Sequence, residues 1–461
     1  MLRSLLLIVV YLTFLGLGLG APFVLTLGYV WVDTFQPQYV AYFVLNQLPV
    51  SMIMGAASVL AYVALDRRSP PRLNLVSVLQ VLMGIWVTLT LIWAEAPALA
   101  WDKWDWAFKT IMFSAFVPLV IRSRVQIEAF AQIYVFALAA NFIPFGVKTL
   151  ISGGGYGVNL GLQGGNTGLS EGGLLSTLCL MIVPLALFLG RHGQLLPRHK
   201  LMPLAYLGIA GLAVATALGT YERSALIGLV VLAAYMFMRS QHKIRFGLVL
   251  AVLGIVGIYA TSSHWTARIS TIGEYNEESS ALVRILVWRW TLGYASGHPF
   301  GGGFSSFVID HIELPGGEIL FSRAFHSIYF EVLGEQGWVG LGMFLTIAGS
   351  TIFGLRRVAK RTRNVPHLAW CAEMSDALQS GLMVFLSAGA FVGIAFQPMF
   401  WYFIAMSISL RQYVGRVERE HAVKPTVTGR WQGRAAAAVM GGPAWQPNRL
   451  VPPEGVRPRP H

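Results

Sequence analysis

His326 opens the stretch HSIYFEVLGEQGWVGLGMF, where a polar segment enters a long apolar run. A histidine at such a water boundary can exchange a proton near neutral pH, so it could act as a general base on a hydroxyl. A lone histidine there could equally cap the helix. Ser327 follows it, and Glu331 and Glu335 share a helix face with Ser327. Like charges four residues apart repel, so one of the two glutamates is expected to pair with an arginine. Arg223 stands in TYERS, a tight turn between two apolar runs. It either snorkels or pairs with Glu222, or it serves a ligand. Arg268 in TARIS, Arg284 and Arg289 in ALVRILVWRWTL, and Arg323 in FSRAFHS lie on one long connection. Guanidinium stays charged and grips phosphate oxygens in a two-pronged fork, so these arginines could converge on a diphosphate. The other reading is an amphipathic helix over 280–295 whose arginines touch lipid phosphates, which suits Arg289 best. Arg284 and Trp288 are one turn apart and share a face.

His264, His298 and His311 show no metal-ligand spacing with His326, and there is no HExxH, so no metal and no cofactor are expected. GHPFGGGFSSF (297–307) lacks the flanking strand and helix of a dinucleotide site and reads as a tight turn. Lys103 and Lys109 read as interfacial anchors. Cys179 and Cys371 read as unpaired thiols.

These residues need a frame, and composition says which kind. The chain has 461 residues, 55% hydrophobic and 12% charged. Soluble domains carry about 25% charged residues, so an ordinary soluble protein and a disordered chain are both excluded. A bilayer crossing takes about 20 apolar residues. Candidate spans fall at roughly 4–20, 42–65, 74–93, 106–121, 128–150, 172–190, 201–219, 224–238, 246–262, 328–354, 377–396 and 398–411. The fold class is therefore an all-α polytopic integral membrane protein with about twelve transmembrane helices. Pro22 to Trp31 is either part of a broken first helix or a separate re-entrant piece.

The net charge of +13 invites a nucleic-acid reading until its distribution is examined. Alternate connections hold 26 of the 34 basic residues, including Arg67 and Arg68, Arg122 and Arg124, Arg239 and Lys243, and Arg356 to Arg363. The positive-inside rule makes these cytoplasmic, with both termini inside. The outer face keeps 14 of the 21 acids, and nucleic acid is no longer needed as a partner. Three outer segments exceed turns: the Trp-rich stretch 94–105 at the interface, the Gly-rich stretch 152–173, and the long loop 263–326. Residues 1–419 form the membrane domain, and 420–461 read as a disordered cytoplasmic tail.

The order of motifs is TYERS, then Arg284 to Arg289 as R-x3-W-R, then HPFGGGFSSF, then His326-Ser327 with E-x3-E-x-G to Gly337. It resembles the bacterial O-antigen ligase/polymerase superfamily, most specifically over about 205–355. GYVWVDTFQPQ, WAEAPALAWDKWDWAFKT and SGGGYGVNLGLQGGNTG resemble the O-glycosylation ligases associated with exosortase systems. The resemblance implies an inner-membrane glycosyltransferase of O-antigen ligase-like, GT-C-like architecture. It would move a glycan from an undecaprenyl-diphosphate carrier to a hydroxyl of lipid A core, a protein or another glycan on the periplasmic face. It maps the family's external-turn arginine onto Arg223, its loop arginine onto Arg284 and its histidine onto His326, with Arg268 a further match. Catalysis then falls to His326, Arg223 and Arg284. Diphosphate or glycan binding falls to Arg223, Arg268, Arg284, Arg289, Arg323, Ser327 and Glu331. Family members often carry Asn after the histidine, where this chain has Ser327.

Two alternatives remain. A polysaccharide polymerase shares donor and fold and differs in the acceptor. A lipid-linked sugar flippase would instead spread charges deep through several spans.

Overall fold

Apolar runs of this length can satisfy their backbone polar groups in lipid only as helices or closed barrels. The computed structural model is built from helices. It describes residues 2–41, 44–71, 73–152, 171–197, 199–239, 243, 279–314 and 317–440, with 279–280 and 421–440 as backbone only. Arg268, the span at 246–262, most of the Gly-rich loop and the first part of the long loop lie outside the described residues. The chain divides into two compact units, Met1–Val414 and Gly415–His461.

The main helices are α1 (Leu2–Gly20), α2 (Pro22–Phe35), α3 (Val50–Leu65), α4 (Leu75–Leu89), α5 (Pro97–Val120), α6 (Arg124–Ser152) and α7 (Gly172–His192). They continue with α8 (Met202–Gly219), α9 (Arg223–Arg239), α10 (Ser279–Gly297), α11 (Ile328–Thr362), α12 (Ala369–Ala388) and α13 (Pro398–Met440). A small hairpin pairs β1 (His311–Glu313) antiparallel with β2 (Ile319–Phe321).

Six helices are long and apolar enough to cross a membrane: α1, α4 with its 3-10 extension to Trp93, α6, α7, α8 and α11. The expected span at 246–262 lies outside the described residues, and the other expected spans fall on helices that are shorter, less apolar or more charged than these six. The apolar helix α3 is shorter, and α5 carries Asp102, Lys103, Asp105 and Lys109. Pro22 starts a separate helix, because its ring suits a first helical turn and breaks a helix interior. The Trp-rich stretch is helical from Pro97. The span expected to reach 396 stops at Ala388, and residues 392–397 form a turn near His326. α13 runs through Met440, in keeping with the run of four alanines near its end.

α7 is apolar on all sides, and 94% of its apolar window is buried. It packs against α6, α8, α9 and α12. Polar pairs tie neighbouring helices together: Thr26 with Ser58 at 2.8 Å, and Gln80 Nε2 donating to Ser114 Oγ at 2.8 Å. The arginine-rich connections meet at one end of the bundle. Arg122 Nη1 donates to the Ser69 carbonyl at 2.6 Å, Arg124 Nη2 donates to the His192 carbonyl at 3.3 Å, and Arg239 and Arg363 both reach Asp376. The segments around Arg223, His326 and Gly393 form the other end.

Candidate functional site

The described part of the long loop is a packed unit. Val287, Ile312 and Phe325 form a small core joined by Val283, Leu286, Trp288, Phe307 and Phe330. α10 therefore rests on the hairpin and the start of α11, which fixes which of its faces points where. Trp288 Nε1 donates to the Phe325 carbonyl at 2.9 Å, and its indole stacks on Phe330 with centroids 5.1 Å apart. Arg284 lies one turn away, on the same face. Arg289 is exposed and about 140° further round the helix, so it is not brought to His326.

His326 has φ +48°, in the left-handed region that costs a side-chain-bearing residue free energy. Packing on both sides maintains that conformation. Trp288 holds the preceding carbonyl, and Phe325 seats against Gly334, where an added Cβ would lie 2.4 Å from the ring. Ser327 then enters α11 with extended backbone. Its hydroxyl is buried and has no hydrogen-bond partner among the described residues, and the same holds for Ser224 next to Arg223.

Electrostatics show which groups gather here. Burial lowers the His326 pKa below its ordinary 6.5, and the charges of Arg284 and Arg323 lower it further. Burial raises the Glu171 carboxyl, Glu222 and Glu331 raise it more, and Arg284 opposes them. Arg284 therefore acts on both His326 and Glu171. Arg323 is exposed, and its backbone N–H donates to both oxygens of Asp310, at 2.9 and 3.1 Å. Arg223 is half-buried at the first position of α9, directly after Glu222.

The glutamates do not pair as expected. Lys103 Nζ donates to Glu331 Oε1 at 2.6 Å and to Glu335 Oε1 at 2.8 Å. Glu331 Oε2 accepts from the Ala395 N–H at 2.9 Å, and Glu335 Oε1 also accepts from the Ser305 N–H at 2.9 Å. The partner of both carboxylates is a lysine, supplied from helix α5. Lys103 is thus a buried ion-pair centre, not an interfacial anchor, because two carboxylates converge on it. Lys109 pairs with exposed Asp105. Glu331 serves first to hold α5 and the 392–397 turn.

The Gly-rich element is a tight turn, as its sequence suggested. It seats on a break in α11 at Gly337, whose φ is +66°. A Cβ on Gly337 would stand 2.3 Å from the Pro299 carbonyl, and one on Gly301 (φ +78°) 2.5 Å from the Gly337 nitrogen. The break frees the Gln336 carbonyl, and Trp86 Nε1 donates to it at 2.9 Å. Among the described residues no group of three His, Cys, Asp or Glu is placed to hold a metal ion. Cys179 and Cys371 are free and buried.

Residues 208–345, which include Arg223, Arg284 and His326, match the O-Antigen ligase family. Residues 208–345 form an O-antigen ligase-family domain. The region ahead of the ligase domain, residues 2–194, matches a family of unknown function (DUF5935). No curated protein matches the chain. Glu171 and Lys103 lie in the N-terminal region, outside the ligase domain, and face its residues. Sequence reasoning missed both. Glu171 follows a Gly-rich run and immediately precedes a span, a placement that could have flagged it. Nothing in the sequence pointed from Lys103 to residues more than two hundred positions later.

Proposed function

We propose that this membrane protein transfers a glycan from an undecaprenyl-diphosphate carrier to an acceptor hydroxyl at the periplasmic face of the inner membrane. The observation that carries the proposal is the placement of Arg284. Trp288 fixes the carbonyl before His326, and Arg284 lies one turn back on the same helix face, with its charge directed at the region of His326 and Glu171. Arg223 and Arg284, with Arg323 at the rim, bind the diphosphate and balance its charge as it departs. Arg268 belongs to the same proposal.

The neutral imidazole of His326 accepts the proton of the acceptor hydroxyl. The acceptor oxygen bonds to the anomeric carbon from the face opposite the leaving group. The bond from that carbon to the diphosphate oxygen breaks, and the diphosphate leaves on its lipid. The anomeric configuration inverts. Burial first, and then the nearby arginines, favour the neutral imidazole, the form a base needs. The free hydroxyls of Ser224 and Ser327 suit sugar or phosphate oxygens. The grouping with exosortase-associated ligases is part of this proposal and is supported by the N-terminal segments.

The test is transfer from a lipid-linked donor by membrane-inserted His326→Ala, Arg223→Ala and Arg284→Ala. A loss of about 10²–10⁴-fold is expected for His326→Ala, the usual contribution of a general base. Unimpaired transfer by all three variants would sink the site assignment. A block transferred in one step marks a ligase, whereas a ladder growing on the carrier marks a polymerase.

A further inference from the structure

A cavity of about 210 Å³ lies beside the start of α11, lined by Lys103, Trp106, Glu331, Gly393 and Gln397 among others. It is next to His326. A Cβ placed on Gly393 would be 3.6 Å from Glu331 Oε2 and 3.9 Å from the backbone nitrogen of His326. Sites for drug-sized ligands run to roughly 300–1,000 Å³, so this one has room for about a single ring. Its lining offers a half-buried indole face, a primary amide, and a carboxylate. Glu331 uses one lone pair of each oxygen on Lys103 and Ala395 and keeps further acceptor capacity. Lys103 is already committed to two carboxylates, so the cavity has no surplus positive charge for an anion.

An aromatic plate beside hydrogen-bonding groups suits a pyranose ring, whose C–H face is apolar and whose rim is all hydroxyls. We propose that this cavity is a subsite for one uncharged sugar ring, the acceptor residue, held with a hydroxyl toward His326. Trp106 carries the ring face, while Gln397 and Glu331 take its hydroxyls. The assignment rests on the glycan-transfer proposal for the role of the ring, but its binding can be tested separately.

The protein is placed in lipid nanodiscs. Saturation-transfer NMR is recorded with methyl glycosides of glucose, galactose, mannose and N-acetylglucosamine, and with methyl glucuronide. Binding of undecaprenyl diphosphate is measured in parallel. At least one neutral glycoside is expected to bind, more tightly than the glucuronide. Gln397→Leu is expected to weaken it about tenfold, the equivalent of one net hydrogen bond. Trp106→Ala weakens it at least as much, whereas Trp106→Phe, which keeps an aromatic face, stays within about threefold. All three variants keep undecaprenyl diphosphate binding, which also shows that they are folded. No neutral glycoside bound by the wild type, or unchanged binding in both Gln397→Leu and Trp106→Ala, overturns the subsite. Arg284→Ala is expected to lose the diphosphate lipid and keep the sugar. Retention of the lipid there refutes the donor assignment and leaves the sugar subsite standing.

Discussion

Replacing Lys103 by Met is expected to be among the most damaging single changes in this protein. Lys103 is 16% exposed at its side chain, against 6% for Glu331 and 0% for Glu335, and it is 2.6 and 2.8 Å from their oxygens. With an effective dielectric of about 20, each contact is worth roughly 6 kcal/mol before desolvation. Desolvation removes most of that gain, but deleting one partner leaves the other charges buried and unpaired, at a cost of about 3–5 kcal/mol. Two carboxylates are stranded here, so the upper part of that range is expected. The assay is equilibrium unfolding in mixed detergent–SDS micelles. Lys103→Met combined with Glu331→Gln and Glu335→Gln should recover most of the loss. The amides remove the buried charges, and their carbonyl oxygens can still accept from the Ala395 and Ser305 N–H groups. A cost below about 1 kcal/mol for Lys103→Met, or no recovery in the triple variant, would refute the reasoning.

His326 acts as a base only when neutral, and burial with the charges of Arg284 and Arg323 lowers its pKa, so the midpoint of the acid limb of kcat/KM should fall below 6.5. Arg323→Ala should move the midpoint upward, and a midpoint above 6.5 in the wild type contradicts the assignment. Trp288→Phe keeps the stack on Phe330 and loses the hydrogen bond to the Phe325 carbonyl. It should cost about 0.5–1.5 kcal/mol of stability but lower kcat about tenfold or more through misplacement of His326, with donor KM held. Gly337→Ala should cost more than about 3 kcal/mol, from its positive φ and the clash with the Pro299 carbonyl. Limited proteolysis should then cut within 297–307, and a protected turn in that variant counts against the packing described.

The residues proposed for the site stand out in the sequence because they break the local charge rule. Arg223, Arg284 and His326 oppose an apolar or acidic background, and the one-turn spacing of Arg284 and Trp288 correctly put both on one face. The Gly-rich turn was legible from composition. Helix bounds were less legible, because helix and apolar run differ in extent: the run at 106–121 belongs to a helix that starts at Pro97, and the run at 377–396 to one that ends at Ala388. Lys103 was not legible for a different reason. A lysine near a helix end looks the same from sequence whether it faces lipid or a carboxylate brought in by another part of the chain. The partner of Glu331 is a long-range fact of packing.

The Lys103 contacts also bear on evolution by exchange. The N-terminal region and the ligase domain match separate families, yet the cation of one neutralises carboxylates of the other. A ligase domain grafted onto a foreign N-terminal half without a basic residue at this place would inherit two buried anions and no counter-ion. A functional chimera therefore has to keep Lys103 together with Glu331 and Glu335, or replace all three.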